Sequence, residues 1–183
     1  MTTANKITIG RILLIPFFIV QALYYVRGGD ELNRFCALFS FALAAVADGI
    51  DGYVARRYNQ RSELGTILDP LADKLLLVSA VILLSLDTKG YFVRLPLWFT
   101  ATLISRDVIL SLGLLMIHYT FGKVKVRPRL LGKAATVFQM ATVLWILLKW
   151  PERVLPFLIW GATIFTSVSG AIYIFDGIRR LNE

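Results

Sequence analysis

The chain is dominated by six long apolar stretches separated by short polar breaks. They lie near residues 7–26, 32–54, 67–86, 95–119, 131–150 and 154–178. Each is close to the roughly 20 residues that an α-helix needs to cross the hydrocarbon core of a bilayer. The sequence therefore predicts an all-α integral membrane protein with six transmembrane helices, built as a single domain over residues 1–183.

Composition supports a membrane protein over the other broad classes. Apolar side chains make up 57% of the 183 residues and charged side chains only 17%. These values exclude a disordered chain and disfavour an ordinary soluble domain. We interpret the first apolar stretch as a retained helix, because no small-residue cleavage site closes it and more stretches follow.

The distribution of basic residues predicts the orientation. The net charge is +8, and most Lys and Arg residues flank the apolar stretches. Such residues favour anionic lipid headgroups as partners, and we expect no nucleic acid. With six spans, 12 Lys and Arg fall on the side that holds both termini and 6 on the other side. This bias predicts cytoplasmic termini. We expect the membrane to be a bacterial plasma or inner membrane.

Four acidic residues stand where a bilayer disfavours them, at the end of the second stretch and the start of the third. A charge at mid-membrane costs roughly 2.5–3.5 kcal/mol on insertion scales. The members of each pair are three or four positions apart, which places them on one helical face. A short connection predicts an antiparallel helix pair, so the two acidic pairs should meet near the cytoplasmic side. The four residues are Asp48, Asp51, Asp69 and Asp73.

Four converging carboxylates without compensating cations would repel one another. They could share protons, or they could bind divalent metal ions. Hard oxygen ligands suit Mg²⁺, Mn²⁺ or Ca²⁺, and two ions among four carboxylates would suit phosphoryl transfer. A simpler alternative is that some of the aspartates cap helices at the span boundary.

The same region carries a pattern that resembles the signature of the CDP-alcohol phosphatidyltransferase family, D-x2-D-G-x2-A-R-x8-G-x3-D-x3-D. Every fixed position is present: Asp48, Asp51, Gly52, Ala55, Arg56, Gly65, Asp69 and Asp73. The opening Asn5-Lys-Ile-Thr8-Ile-Gly-Arg11 resembles the start of bacterial members, with Ala4 where proline is usual. The run from Asp69 to Lys74 is similar to the version in phosphatidylglycerophosphate synthases.

The resemblance implies a reaction and a set of roles. A CDP-linked lipid, CDP-diacylglycerol, would donate its phosphatidyl group to an alcohol and release CMP. The four aspartates would hold two divalent metal ions, either Mg²⁺ or Mn²⁺, and Asp73 would be the general base. We also expect a homodimer. The residues expected along the CDP-lipid are Asn5, Thr8, Gly52, Ala55, Arg56 and Gly65.

The acceptor is expected to be glycerol 3-phosphate, bound through two cations in apolar surroundings. Arg106 lies within the fourth stretch and Lys133 enters the fifth, and together they could hold a phosphate. The alternatives are a pair between Arg106 and Asp107 or a bridge from Arg106 to another helix. The simple pair is disfavoured, because adjacent helix positions do not face each other. The aspartate after this arginine resembles the pattern in eukaryotic-type cardiolipin synthases. Phosphatidylglycerol is therefore an alternative acceptor, and another alcohol is a further one.

Two other classes compete with an enzyme. A transporter would also place carboxylates inside the membrane. However, it would not require glycines and an arginine at this spacing. A structural scaffold would have no reason to keep four clustered aspartates. Release of CMP from CDP-diacylglycerol would distinguish the enzyme from both.

Overall fold

The computed structural model describes the backbone of residues 3–57, 63–87, 89–121 and 130–181, and the side chains of 9–48, 71–87, 89–113 and 131–175. Every regular element in these ranges is helical, which confirms the all-α class. The elements are α1 (Thr3–Gly28), α2 (Glu31–Arg57), α3 (Glu63–Leu86), α4 (Leu97–Phe121), α5 (Leu130–Leu147), a 3₁₀ helix (Glu152–Val154) and α6 (Leu155–Leu181).

The second and third helices extend beyond the predicted apolar stretches. Helix α2 continues to Arg57, three residues past the predicted end, and α3 begins at Glu63, four residues before the predicted start. The added residues include alanine, arginine, leucine and glutamate, which have good helix propensity. The four motif aspartates are therefore inside helices. The alternative that they cap helix ends is wrong.

Among the residues that the structure describes, two helical stretches are long and apolar enough to cross a membrane by length and composition. They are Ile9–Gly28, with mean hydropathy 1.8, and Glu152–Phe175, with mean hydropathy 1.6. Large apolar side chains on both stretches, among them Leu13 and Phe157, are exposed. Lipid would cover such side chains, whereas water would not tolerate so extensive an apolar surface. The number of spans stays a prediction.

The helices divide into two compact units. The first comprises Met1–Arg94 and Val143–Trp150, and the second comprises Leu95–Thr142 and Pro151–Glu183. Helices α1, α2 and α3 thus belong to the first unit, together with the end of α5. Helix α4, most of α5 and α6 form the second.

In the first unit, α1 is the helix that joins the others. Among the described residues it packs against both α2 and α3 more extensively than those two pack against each other. Phe18 of α1 and Phe41 of α2 are buried, with ring centroids 5.4 Å apart. Leu76 and Val81 of α3 are also buried. Helices α2 and α3 are therefore assembled around α1.

The turn between α1 and α2 requires glycine. Gly29 has a φ of 72°, in the left-handed region, and its N–H donates to the carbonyl of Tyr25 at 2.7 Å. A Cβ at this position would come within 2.5 Å of the Tyr91 ring. Glycine satisfies both demands because it has no side chain.

An ion-pair cluster fastens the end of α5 to the start of α2. Lys149 Nζ donates to Glu31 at 2.8 Å, Arg34 Nε donates to the other Glu31 oxygen, and Arg34 Nη1 donates to the Leu147 carbonyl at 2.7 Å. The hydrogen bond from Lys149, and then that from Arg34, lower the pKa of Glu31 to about 2. The hydrogen bond to Glu31 raises the pKa of Lys149.

The second unit has polar groups inside its apolar packing. Gln139 of α5 donates from Nε2 to Thr166 Oγ1 of α6 at 2.7 Å, and both residues are buried. Phe138 and Phe165 stack nearby, with centroids 5.2 Å apart. A Cβ on Gly161 would lie 2.9 Å from the Phe138 ring, so glycine permits this close approach. These contacts join α5 to α6.

Candidate active site

Arg11 of α1 lies between two of the predicted acidic residues. Its Nη1 donates to Oδ1 of Asp48 at 2.5 Å and to Oδ1 of Asp73 at 2.6 Å. The two carboxylate oxygens are therefore no farther apart than the sum of these distances. Because Asp48 belongs to α2 and Asp73 to α3, three helices contribute to this point.

The positions of the two aspartates along their helices explain why they meet. Asp48 precedes the end of α2 by nine residues, and Asp73 follows the start of α3 by ten. At a rise of 1.5 Å per residue, each lies about 14–15 Å from the connected end of its helix. A short antiparallel connection brings such positions side by side. The predicted meeting of the two acidic pairs is confirmed for one member of each.

The remaining motif residues are located by their backbones alone. Asp51 follows Asp48 by three positions in α2, and Asp69 precedes Asp73 by four in α3. Each pair thus shares one face of its helix. The side chains of these two aspartates lie outside the described residues, as do the side chains of Asn5, Thr8, Ala55 and Arg56 and the surroundings of Gly52 and Gly65.

Burial differs sharply between the arginine and its partners. The Arg11 side chain has no exposed surface, whereas those of Asp48 and Asp73 are 37% and 29% exposed. The guanidinium therefore forms the closed back of the site, and the carboxylates border its open side. A ligand would reach the carboxylates first.

The donor set fits a hard divalent cation. Asp48 and Asp73 supply carboxylate oxygens that already converge on a positive charge, and Mg²⁺ and Mn²⁺ prefer such ligands. Among the residues whose side chains are described, no group of three or more Asp, Glu, His or Cys residues gathers in one place. The other two motif aspartates fall outside that search. The structure thus describes two of the four predicted ligands, and both accept a hydrogen bond from Arg11.

Arg11 is the site residue that sequence reasoning missed. It is not among the expected site residues and stands only as the last position of the opening motif. Two signals were available: it lies in an apolar stretch, and it follows Thr8 by three positions in the opening that resembles the start of bacterial family members. The premise that the carboxylates lack a compensating cation is therefore wrong, because α1 supplies one.

Arg106 of α4 is anchored inside the second unit. Its Nη1 donates to Asp107 Oδ1 at 2.7 Å, and its Nη2 donates to Ser169 Oγ of α6 at 2.8 Å. The expectation that Arg106 and Asp107 would not pair is wrong, because the long arginine side chain folds back to its neighbour. Its Nε is buried and has no hydrogen-bond partner within the described residues.

Glycines of two helices accommodate this arginine. A Cβ on Gly170 of α6 would stand 3.2 Å from Arg106 Cγ, and a Cβ on Gly132 of α5 would stand 3.7 Å from Nη2. The first turn of α5 therefore lies beside the guanidinium. Lys133, the next residue of α5, is exposed. The backbone of Gly132, next to Lys133, therefore lies close to Arg106.

A cavity of about 500 Å³ lies between α4 and α6. Most of its lining is apolar, but Arg106 and several small polar residues contribute to the wall. Those residues are Thr102, Ser105 and Ser167. Arg106 is therefore accessible from an opening within its own unit.

Comparisons with known proteins agree with the motif. A sequence model of the CDP-alcohol phosphatidyltransferase family matches residues 1–168. The chain belongs to this family. The CDP-alcohol phosphatidyltransferase match covers the first unit and the second unit up to residue 168, and it includes every site residue named above except Ser169 and Gly170.

Curated relatives share most of the chain. A protein of Shigella flexneri serotype 5b (strain 8401) is 34% identical over 163 residues, which cover 87% of this chain and 86% of the relative. One from Escherichia coli (strain K12) is 35% identical over 141 residues, which cover 77% and 74%. Both relatives are named CDP-diacylglycerol–glycerol-3-phosphate 3-phosphatidyltransferase. Membership of this family of transferases, together with the apolar helices, favours a membrane enzyme over a transporter or a scaffold.

Proposed function

We propose that this chain transfers a phosphatidyl group from CDP-diacylglycerol to glycerol 3-phosphate, producing phosphatidylglycerophosphate and CMP. The observation that carries the proposal is the convergence of Asp48 and Asp73 on one nitrogen of Arg11. This convergence occurs at the motif of a family whose relatives, 34–35% identical, are named for that reaction.

The reaction exchanges one phosphorus–oxygen bond for another. The acceptor hydroxyl oxygen forms a bond to the phosphorus of the phosphatidyl group, and the bond from that phosphorus to CMP breaks. CMP leaves with the electron pair. The hydroxyl proton passes to a base, and Asp73 is the proposed base because its carboxylate is partly exposed at the open side of the site.

Asp48, Asp51, Asp69 and Asp73 are the proposed ligands of two divalent ions, Mg²⁺ or Mn²⁺. Such ions would supply positive charge to the attacking and leaving oxygens. The protein's own contribution is to hold the carboxylates on adjoining faces of α2 and α3. Arg11 adds a fixed positive charge behind them, which also favours an anionic pyrophosphate.

The nucleotide end of the donor is proposed to lie along α2 and the start of α1. Gly52, Ala55 and Arg56 follow Asp48 by four, seven and eight positions, so they continue its helical face. Small residues there would let a ligand approach the backbone. Gly65 of α3 and Asn5 and Thr8 of α1 complete the proposed CDP-lipid contacts.

Arg106 and Lys133 are the proposed contacts of the acceptor phosphate. The first turn of α5 lies beside the Arg106 guanidinium, and helix N-termini favour anions through their free N–H groups. Two cations and these N–H groups suit a small dianion such as glycerol 3-phosphate.

Phosphatidylglycerol is a second candidate acceptor, favoured by one observation. Asp107 pairs with Arg106 at 2.7 Å and so offsets part of its charge. An acceptor without a terminal phosphate needs less positive charge than glycerol 3-phosphate does. With this acceptor the product would be cardiolipin.

The proposed setting is a bacterial plasma or inner membrane that the six helices span. Both termini and the active site would face the cytoplasm, as the 12-to-6 distribution of Lys and Arg favours. A homodimer is part of the proposal, and light scattering of the purified protein would measure its mass.

An acceptor panel tests the proposed function. The purified protein would receive CDP-diacylglycerol and Mg²⁺ with glycerol 3-phosphate, phosphatidylglycerol, serine or inositol phosphate. We expect phosphatidylglycerophosphate from the first acceptor, identified by mass spectrometry. Cardiolipin as the main product would instead establish the second candidate.

A further inference from the structure

The acidic site has a cation of its own. Arg11 lies on a third helix, α1, and one of its nitrogens donates to both Asp48 and Asp73. Its side chain is wholly buried, whereas both carboxylates are partly exposed. A guanidinium keeps its charge throughout the physiological pH range. The charge behind the carboxylates is therefore permanent.

Electrostatics makes this arrangement consequential. Two carboxylates that are held close together repel each other unless a positive charge lies between them. Loss of one partner from a buried ion pair is strongly destabilising, because the remaining charge is left uncompensated. In this site the loss of Arg11 would remove a partner shared by two carboxylates on two different helices.

We propose that Arg11 is a positioning residue that acts as the internal counter-cation of the acidic site. It holds Asp48 of α2 and Asp73 of α3 together before any divalent ion binds, and then stays as the buried back of the site. This inference rests on the proposed function only in taking a divalent cation as the ligand. Its chemical basis is that one Nη group carries two N–H bonds and can serve two acceptors.

The proposal differs from a role in helix packing alone. A packing arginine would stabilise the protein equally whether or not metal is present. A counter-cation matters most when metal is absent, because a bound divalent ion neutralises the same carboxylates. The dependence of stability on metal therefore separates the two roles.

The first experiment measures thermal unfolding of the full chain in detergent, in EDTA and in Mg²⁺. Arg11→Met should lower the Tm by about 10 °C in EDTA and by clearly less in Mg²⁺. The rise in Tm on adding Mg²⁺ should thus be larger in the variant than in the wild type. Arg34→Met is the matched control, because Arg34 is also largely buried in the first unit but pairs with Glu31. It should lower both Tm values equally.

The second experiment is a double-mutant cycle in EDTA alone. If Arg11 offsets carboxylate repulsion, adding Asp48→Asn to Arg11→Met should restore several degrees of Tm. If Arg11→Met fails to fold, recovery of a folded protein in the double variant supports the proposal in the same way.

Two results would overturn the proposal. One is a wild type that Mg²⁺ stabilises together with a Mg²⁺ shift in Arg11→Met that is no larger. The other is a double variant no more stable than Arg11→Met. Failure of the proposed function looks different. A wild type that Mg²⁺ does not stabilise would contradict the metal site, and the cycle in EDTA would still decide the role of Arg11.

Discussion

A few neighbouring residues determine the position of the Arg106 side chain. Asp107 and Ser169 fix its two terminal nitrogens, and Gly170 leaves room for its stem. The sequence pointed to Arg106 because a cation in an apolar stretch is costly. Its partners could not be predicted, because a long side chain selects them by tertiary packing. The same holds for Arg11, whose carboxylates are 37 and 62 positions away along the chain.

Two substitutions in this region should weaken acceptor use to different degrees. Charge-assisted contacts to phosphate are worth roughly 1.5–3 kcal/mol, so Arg106→Ala should raise the KM for glycerol 3-phosphate about 10- to 100-fold. Gly170→Ala places a methyl 3.2 Å from Arg106 Cγ, and the small displacement of the arginine should raise that KM only a few-fold. Steady-state kinetics with each substrate varied would measure both effects.

The control for these variants is Gly113→Ala. Gly113 is also inside α4, but a Cβ there would meet nothing within 4 Å. Alanine should leave both KM values unchanged and stabilise the helix by up to about 1 kcal/mol. An Arg106→Ala enzyme that keeps its acceptor KM, or loses only its affinity for CDP-diacylglycerol, would refute the phosphate assignment.

Helices were easier to predict than their ends. All six follow from apolar stretches of membrane-spanning length. The added residues of α2 and α3 could not be predicted in this way. Hydropathy identifies the apolar residues that match the bilayer thickness, whereas the added residues belong to the polar motif and its connection. The acidic motif could still be placed on two facing helices from its spacing. The ion-pair cluster of Glu31, Arg34 and Lys149 forms a clamp between α2 and α5. No sequence signal predicts this clamp, because Lys149 and Glu31 are 118 positions apart.

This clamp predicts a pH dependence of stability at the junction of α2 and α5. The pKa of Glu31 is lowered from 4.5 to about 2 in the folded protein. Its stabilising contribution is therefore complete above about pH 4.5 and is lost as the pH falls towards 2. The difference in Tm between the wild type and Glu31→Gln should be constant from about pH 5 to 7 and shrink below that range. A difference that stays constant down to about pH 3 would contradict the clamp.

At the scale of the whole molecule, the division into two units was not predictable. Apolar residues of a membrane protein face both lipid and neighbouring helices, so hydropathy does not reveal which helices pack together. The fold class and the acidic site were accessible because their signals are local: stretch length and motif spacing. The family model matches residues 1–168 and so includes the whole acidic motif.

The most direct measurement of the central claim is the release of CMP from CDP-diacylglycerol by the purified protein. It should be made with and without glycerol 3-phosphate, each in Mg²⁺ and in excess EDTA. We predict CMP release only when acceptor and Mg²⁺ are both present, because the acidic site needs the ion and the transfer needs the hydroxyl. Full turnover in EDTA, or equal CMP release without an acceptor, would contradict a metal-dependent phosphatidyl transfer to glycerol 3-phosphate.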